Sequence, residues 1–80
     1  MRIDDYLSTV GIIKRRTVAK EMADHGLVEV NGRKVKPAYD VKLNDIIVIK
    51  GTHPFKAEVF AIPHGNVSKE RRAEYYKALA

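Results

Sequence analysis

Asn31-Gly32 stands between Val28-Glu29-Val30 and Arg33-Lys34-Val35. No other stretch restricts the chain so tightly. Both turn residues tolerate positive φ, so the pair specifies a two-residue hairpin and the register of two strands. Val28 and Val30 then share one face, while Glu29 takes the other. Downstream, Pro37 ends the second strand or marks an edge. Val41 and Leu43 lead to a turn at Asn44-Asp45. Ile46-Ile47-Val48-Ile49 is apolar on both faces and is expected at the sheet centre. Residues 55–62 alternate as a last strand. Ser68 is placed to cap a final helix from Lys69 to about Leu79, anchored by Tyr75, Tyr76 and Leu79.

Two helices are expected before the hairpin. Ile3, Tyr6, Leu7 and Val10 recur at helical spacing, with Asp4 and Asp5 in the first turn and Gly11 as a stop. Asp4 reads as a helix-start or arginine-orienting group, and Ile12 and Ile13 as a buried connector. The second helix begins between Lys14 and Thr17, with Thr17 as its candidate N-cap. Val18, Ala19, Met22 and Ala23 form its apolar stripe, and Gly26 ends it. The fold class is therefore α+β: two N-terminal helices packed on a small, mostly antiparallel sheet, plus a C-terminal helix. Eighty residues make one domain with a small core.

The charges need a reason. From Lys14 to Lys36 the chain carries Lys14, Arg15, Arg16, Lys20, Arg33, Lys34 and Lys36 against Glu21, Asp24 and Glu29. Arg16 and Lys20 share a helix face, and like charges at that spacing cost an isolated helix roughly 0.2–0.5 kcal/mol. Cations at a helix start also oppose its dipole. A phosphate at that helix start, held by backbone N–H groups and arginines together, removes both penalties. The formal net charge of +5 favours a polyanionic partner. Cys is absent, and His25, His53 and His64 lack metal-ligand spacing, so neither a metal nor a cofactor is expected. No nucleophile–base pair or phosphate loop points to an enzyme. No apolar run approaches membrane-spanning length, and the N-terminus does not read as a signal peptide. A cytoplasmic monomer without membrane contact is the expectation.

The combined pattern resembles a known family. It runs Arg2-Ile3-Asp4-x-x-Leu7, Arg16-Thr17-x-Ala19, Gly26-x-Val28-x-Val30-Asn31-Gly32-x-x-Val35-Lys36-Pro37, then Val41-x-x-x-Asp45-Ile46-Ile47. It is similar to the RNA-binding domain named after the fourth protein of the small ribosomal subunit, the alpha-L motif. The resemblance covers residues 1–50, and residues 51–80 complete the same domain with an extra strand and the final helix. The layout looks like the stand-alone members: the fifteen-kilodalton heat-shock protein and, more so, its shorter relatives in bacterial ribosome-associated quality control. The longer version carries a basic C-terminal extension, and this sequence stops at Ala80.

The resemblance implies a non-enzymatic protein that binds rRNA of the obstructed large ribosomal subunit and its peptidyl-tRNA, with other quality-control factors as further partners. It implies that Arg2, Lys14, Arg15, Arg16, Thr17, Lys20, Asn31, Lys34 and Lys36 face RNA. Arg2 and Arg16 lead, because a guanidinium grips phosphate bidentately. Thr17 would donate from its hydroxyl or its helix-start N–H. Asn31 is first of all a turn residue, and Arg33 points to solvent. A general rRNA-binding or assembly factor is the nearer alternative. A protein-interaction accessory acting through Tyr75 and Tyr76, or a fragment of an RNA-modifying enzyme, are alternatives of other classes.

Overall fold

The computed structural model describes residues 1–79. Helix α1 (Ile3–Thr9) and helix α2 (Arg16–Asp24) precede the strands β1 (Val28–Val30), β2 (Arg33–Lys34), β3 (Ile46–Ile49) and β4 (Phe55–Val59). A 3-10 helix (Lys69–Glu74) and strand β5 (Tyr76–Leu79) close the chain. The strands form one antiparallel sheet in the order β2-β1-β3-β4-β5, so β3 is central, as its apolar sequence requires. Among the described residues, no helix is long and apolar enough to cross a membrane.

The hairpin turn forms as the sequence demands, with φ of 53° at Asn31 and 85° at Gly32. Asn31 then does more than turn. Its amide donates to Asp45 Oδ1 at 3.0 Å and accepts from Ile46 N at 3.0 Å, pinning the hairpin to the start of β3. Asp45 is buried and also receives the Tyr39 hydroxyl at 2.8 Å and Lys42 N at 2.9 Å. Burial, followed by this hydrogen bond, pushes the Tyr39 hydroxyl above its ordinary range.

One core joins the layers. Ile3, Tyr6, Leu7 and Val10 of α1 meet Ala19 and Ala23 of α2, Val28, Val30, Ile47, Ile49 and Val59 of the sheet, and Val41. The segment after β2 wraps the N-terminus: Ile3 N donates to Tyr39 O at 2.8 Å, Asp4 N to Pro37 O at 3.3 Å, and Val41 N to Met1 O at 2.9 Å. The first N–H groups of α1 therefore end on backbone carbonyls instead of a capping side chain. The other face of the sheet carries Glu29, Ile46, Val48, Lys56, Glu58, Lys77 and Leu79, and Ile46 and Val48 stay half-buried there.

Four sequence expectations need correction. Val18 is exposed and does not join the stripe of α2 that Ala19 and Ala23 bury. The chain from Lys69 to Leu79 is not one helix: six residues form a 3-10 helix with no buried side chain, and the rest pair with β4 as β5. Lys69-Glu70-Arg71-Arg72-Ala73-Glu74 offers no apolar stripe to bury, whereas β4 otherwise presents a row of unpaired N–H and C=O groups. The strand expected over residues 55–62 stops at Val59 and is not the last, because Phe60 N and Ala61 N turn to the carbonyl of Tyr75 at 2.9 and 3.2 Å. Thr17 does not cap α2. The cap position is Arg15, in extended conformation, and its side chain makes no capping hydrogen bond.

Candidate nucleic-acid interface

Asp4 is the centre of the candidate site. It sits in the first turn of α1, 1% exposed, and its carboxylate receives Arg2 through two bonds: Nε to Oδ1 at 3.2 Å and Nη2 to Oδ2 at 3.0 Å. Asp5 N adds a third donor at 2.7 Å, and Arg16 Nε stands 3.7 Å from Oδ1. One buried anion thus orients two guanidiniums whose side chains remain 46% and 50% exposed. Three charged groups leave a net positive node with both arginine side chains half in solvent. The expectation that Asp4 orients arginine holds in this geometry.

Helix α2 extends the surface. Arg16 opens the helix, and Lys14, Arg15, Thr17 and Lys20 are all exposed along its start and outer side. With no side-chain cap, the first-turn N–H groups face outward beside three cations. Lys20 Nζ lies 3.8 Å from Asp24 Oδ2, one turn on, which steadies the lysine without covering it. At the far end, the Lys34 stem lies over Gly26: a Cβ there would come 3.3 Å from Lys34 Cδ, and φ at Gly26 is +72°. Lys34 and Lys36 share a shallow groove of about 140 Å³ with Ala23, Asp24 and Gly26.

The two basic packets of the sequence are therefore both tied to α2. Arg16 and Arg2 meet on Asp4 at its start, and Lys34 and Lys36 flank its end. The backbone bond from Asp4 N to Pro37 O links the arginine node to the segment carrying Lys36. Nine helical residues separate the ends, about 13 Å. Asn31 is not part of this cluster: its amide is engaged by Asp45 and Ile46 at the hairpin turn. Among the described residues, no three metal-ligating side chains come together.

Sequence reasoning missed Arg72. Its side chain crosses Gly11 at the end of α1, with Nε buried and without a hydrogen-bond partner among the described residues. Sixty residues lie between the two positions, and no local pattern announces the contact. Tyr75 packs against the core, and its carbonyl accepts the Tyr6 hydroxyl at 2.9 Å. Tyr76 also packs there and meets Phe55 edge to face at 6.0 Å.

A family model of the S4 domain matches residues 1–47. The chain is 42% identical over 80 residues to the RQC P-site tRNA stabilizing factor of Listeria innocua, covering 99% of this chain and 86% of that one. It is 54% identical over 50 residues to the RQC P-site tRNA stabilizing factor of Streptococcus pneumoniae, covering 62% and 57% of the two chains. The trimeric structure of Heat Shock Protein 15 from Vibrio cholerae superposes with a TM-score of 0.90 over 100% of this chain and 82% of that one, at 23% identity. That likeness shows a shared fold.

Proposed function

The chain belongs to the S4 domain family, in company with the RQC P-site tRNA stabilizing factors, and from that premise we propose that it clamps structured RNA on obstructed large ribosomal subunits, where it holds the peptidyl-tRNA in place. The action is binding and not catalysis, it needs no cofactor, and its place is the cytoplasm. The observation that carries the reading is the Asp4 node: a buried carboxylate holding two half-exposed arginines beside an uncapped helix start. Residues fixed in that way meet a phosphate without first losing side-chain freedom.

In this reading Arg2 and Arg16 grip backbone phosphates through their forked donors. Thr17 and the first N–H groups of α2 complete the anion site. Lys14, Arg15, Lys20, Lys34 and Lys36 add point charges along the strand. Asn31 acts by holding the hairpin that presents Lys34. Such contacts read the shape and backbone of an A-form stem and not its sequence. Each phosphate neutralised on a duplex steepens the slope of log K against log salt by about 0.9.

Sedimentation of purified large subunits with the protein tests the proposal. The protein is expected to travel with subunits that carry peptidyl-tRNA and to bind empty subunits less. Equal retention on both would remove the tRNA from the reading. No retention on either would remove the ribosome.

A further inference from the structure

Arg72 is a guanidinium laid across a glycine, with no ion-pair partner among the described residues. A Cβ at Gly11 would stand 2.9 Å from Arg72 Cδ and 3.1 Å from Nη1, and φ there is +80°, so glycine makes the seat on which the arginine lies. Among the described residues Arg72 forms no ion pair, and its buried Nε has no acceptor. The bond from Tyr6 to the Tyr75 carbonyl holds this part of the chain against α1.

The arginine borders a cleft of about 350 Å³, lined by Asp5, Ser8 and Thr9 of α1 and by Asn66, Val67 and Arg72. Its two walls differ in chemistry. The Ser8 hydroxyl donates to Asp5 O at 3.0 Å, and the Thr9 hydroxyl donates to Asp5 Oδ1 at 3.3 Å. With those protons committed, the α1 wall presents acceptors, among them the second carboxylate oxygen of Asp5. The rest of the lining holds the Arg72 guanidinium, which only donates, and the Asn66 amide, which can donate through its NH2 group. A ligand that fits carries an anion on one side and a hydroxyl donor on the other. A ribose-phosphate unit has both, and the 2′-hydroxyl distinguishes RNA from DNA. The volume is within the range of small-ligand sites.

We infer that this cleft takes one ribose-phosphate unit of an RNA strand, with Arg72 and Asn66 on the phosphate and Asp5 on the 2′-hydroxyl. The inference rests on the reading of the chain as an RNA binder and adds a second contact point to it. Asp4 and Asp5 are consecutive, so they leave α1 about 100° apart. Asp4 holds the arginine node on the flank toward α2, and Asp5 faces the cleft on the flank toward residues 66–72. Two RNA backbone segments are then held on adjacent flanks of one short helix, roughly 8–9 Å apart for a 100° step around its 10–12 Å diameter. Asp5 and Arg72 balance each other's charge, so the cleft contributes selectivity for ribose more than long-range attraction.

The test is a nitrogen-15 NMR titration of the full chain with a short oligoribonucleotide and with the oligodeoxyribonucleotide of the same sequence. The Arg72 Nε–H and Asn66 side-chain amide signals are expected to shift with the ribose oligomer and less with the deoxy one. Asp5→Asn is expected to lose that difference. Arg72→Lys keeps the charge and most of the stem but lacks the planar guanidinium fork, and is expected to lose the shift of the Asn66 amide. Signals around Arg2 and Arg16 report the first surface in the same spectra. If they move while the cleft signals stay still, the cleft inference fails and the RNA-binding function stands. If neither set moves, both fail. If an acidic peptide moves Arg72 where RNA does not, the cleft is a protein site and the inference is overturned.

Discussion

Replacing Asp4 with Asn separates orientation from charge. The substitution raises the formal net charge from +5 to +6, so general attraction to RNA increases. It also removes the anion that fixes Arg2 at 3.2 and 3.0 Å and draws Arg16 to 3.7 Å. Each arginine regains rotamer freedom that must be lost again on binding, at about 0.5–1.5 kcal/mol per side chain. Two arginines give about 1–3 kcal/mol, or roughly 5- to 150-fold weaker binding. Stability should fall less. Hydrogen bonds to charged groups contribute about 1.5–3 kcal/mol, but the guanidiniums are half in solvent, which reduces that to about 1 kcal/mol. The Asn amide oxygen can still accept from Asp5 N. The assay is fluorescence anisotropy with a labelled rRNA stem across a salt series, on variants shown to be folded. Weaker binding with an unchanged salt slope is expected, because the phosphates contacted are the same. Affinity equal to or above wild type would refute the reasoning and leave net charge as the driver.

Gly11→Ala should lower the melting temperature: its positive φ costs a residue with Cβ about 1–2 kcal/mol, and the new carbon meets Arg72 Cδ at 2.9 Å. Asp45→Ala should cost about 2–4 kcal/mol in urea unfolding, since Tyr39, Asn31 and Lys42 each lose their acceptor; a loss below 1 kcal/mol, on the order of a single surface bond, would show the turn to be held elsewhere. In alkali, burial and to a lesser degree Tyr76 raise the Tyr6 hydroxyl above the ordinary tyrosine value of about 10. Its contribution to stability is therefore full below that value and fades as pH rises through the folded one. Unfolding monitored by circular dichroism should begin above about pH 10, and Tyr6→Phe should make that onset shallower.

The parts legible in the sequence are those whose signals are local. Asn31-Gly32 dictated a turn because few residues adopt two consecutive positive φ values. Ile46–Ile49 announced the central strand because both its faces are apolar. The segment from Lys69 to Leu79 misled because its helix propensity is good and its strand partner is distant. Only the free edge of β4, a product of tertiary structure, makes Tyr76–Leu79 a strand. The basic packets were visible as charge, but their convergence on α2 depends on the hairpin returning Lys34 over Gly26. Asp4 reads as a helix-start or arginine-orienting group, and Arg2 is the first arginine it holds. Its second contact, to Arg16, and the seat of Arg72 on Gly11 needed the packed helices.

The central claim is that geometry, and not the sum of charge, makes the RNA surface. The measurement is the affinity of Arg16→Ala and Lys56→Ala for large ribosomal subunits carrying peptidyl-tRNA, taken at one salt concentration. Both variants lose one positive charge. Arg16 sits on the Asp4 node, whereas Lys56 lies on the opposite sheet face, exposed. The account predicts strong loss for Arg16→Ala and near wild-type binding for Lys56→Ala. Equal loss in both would contradict it.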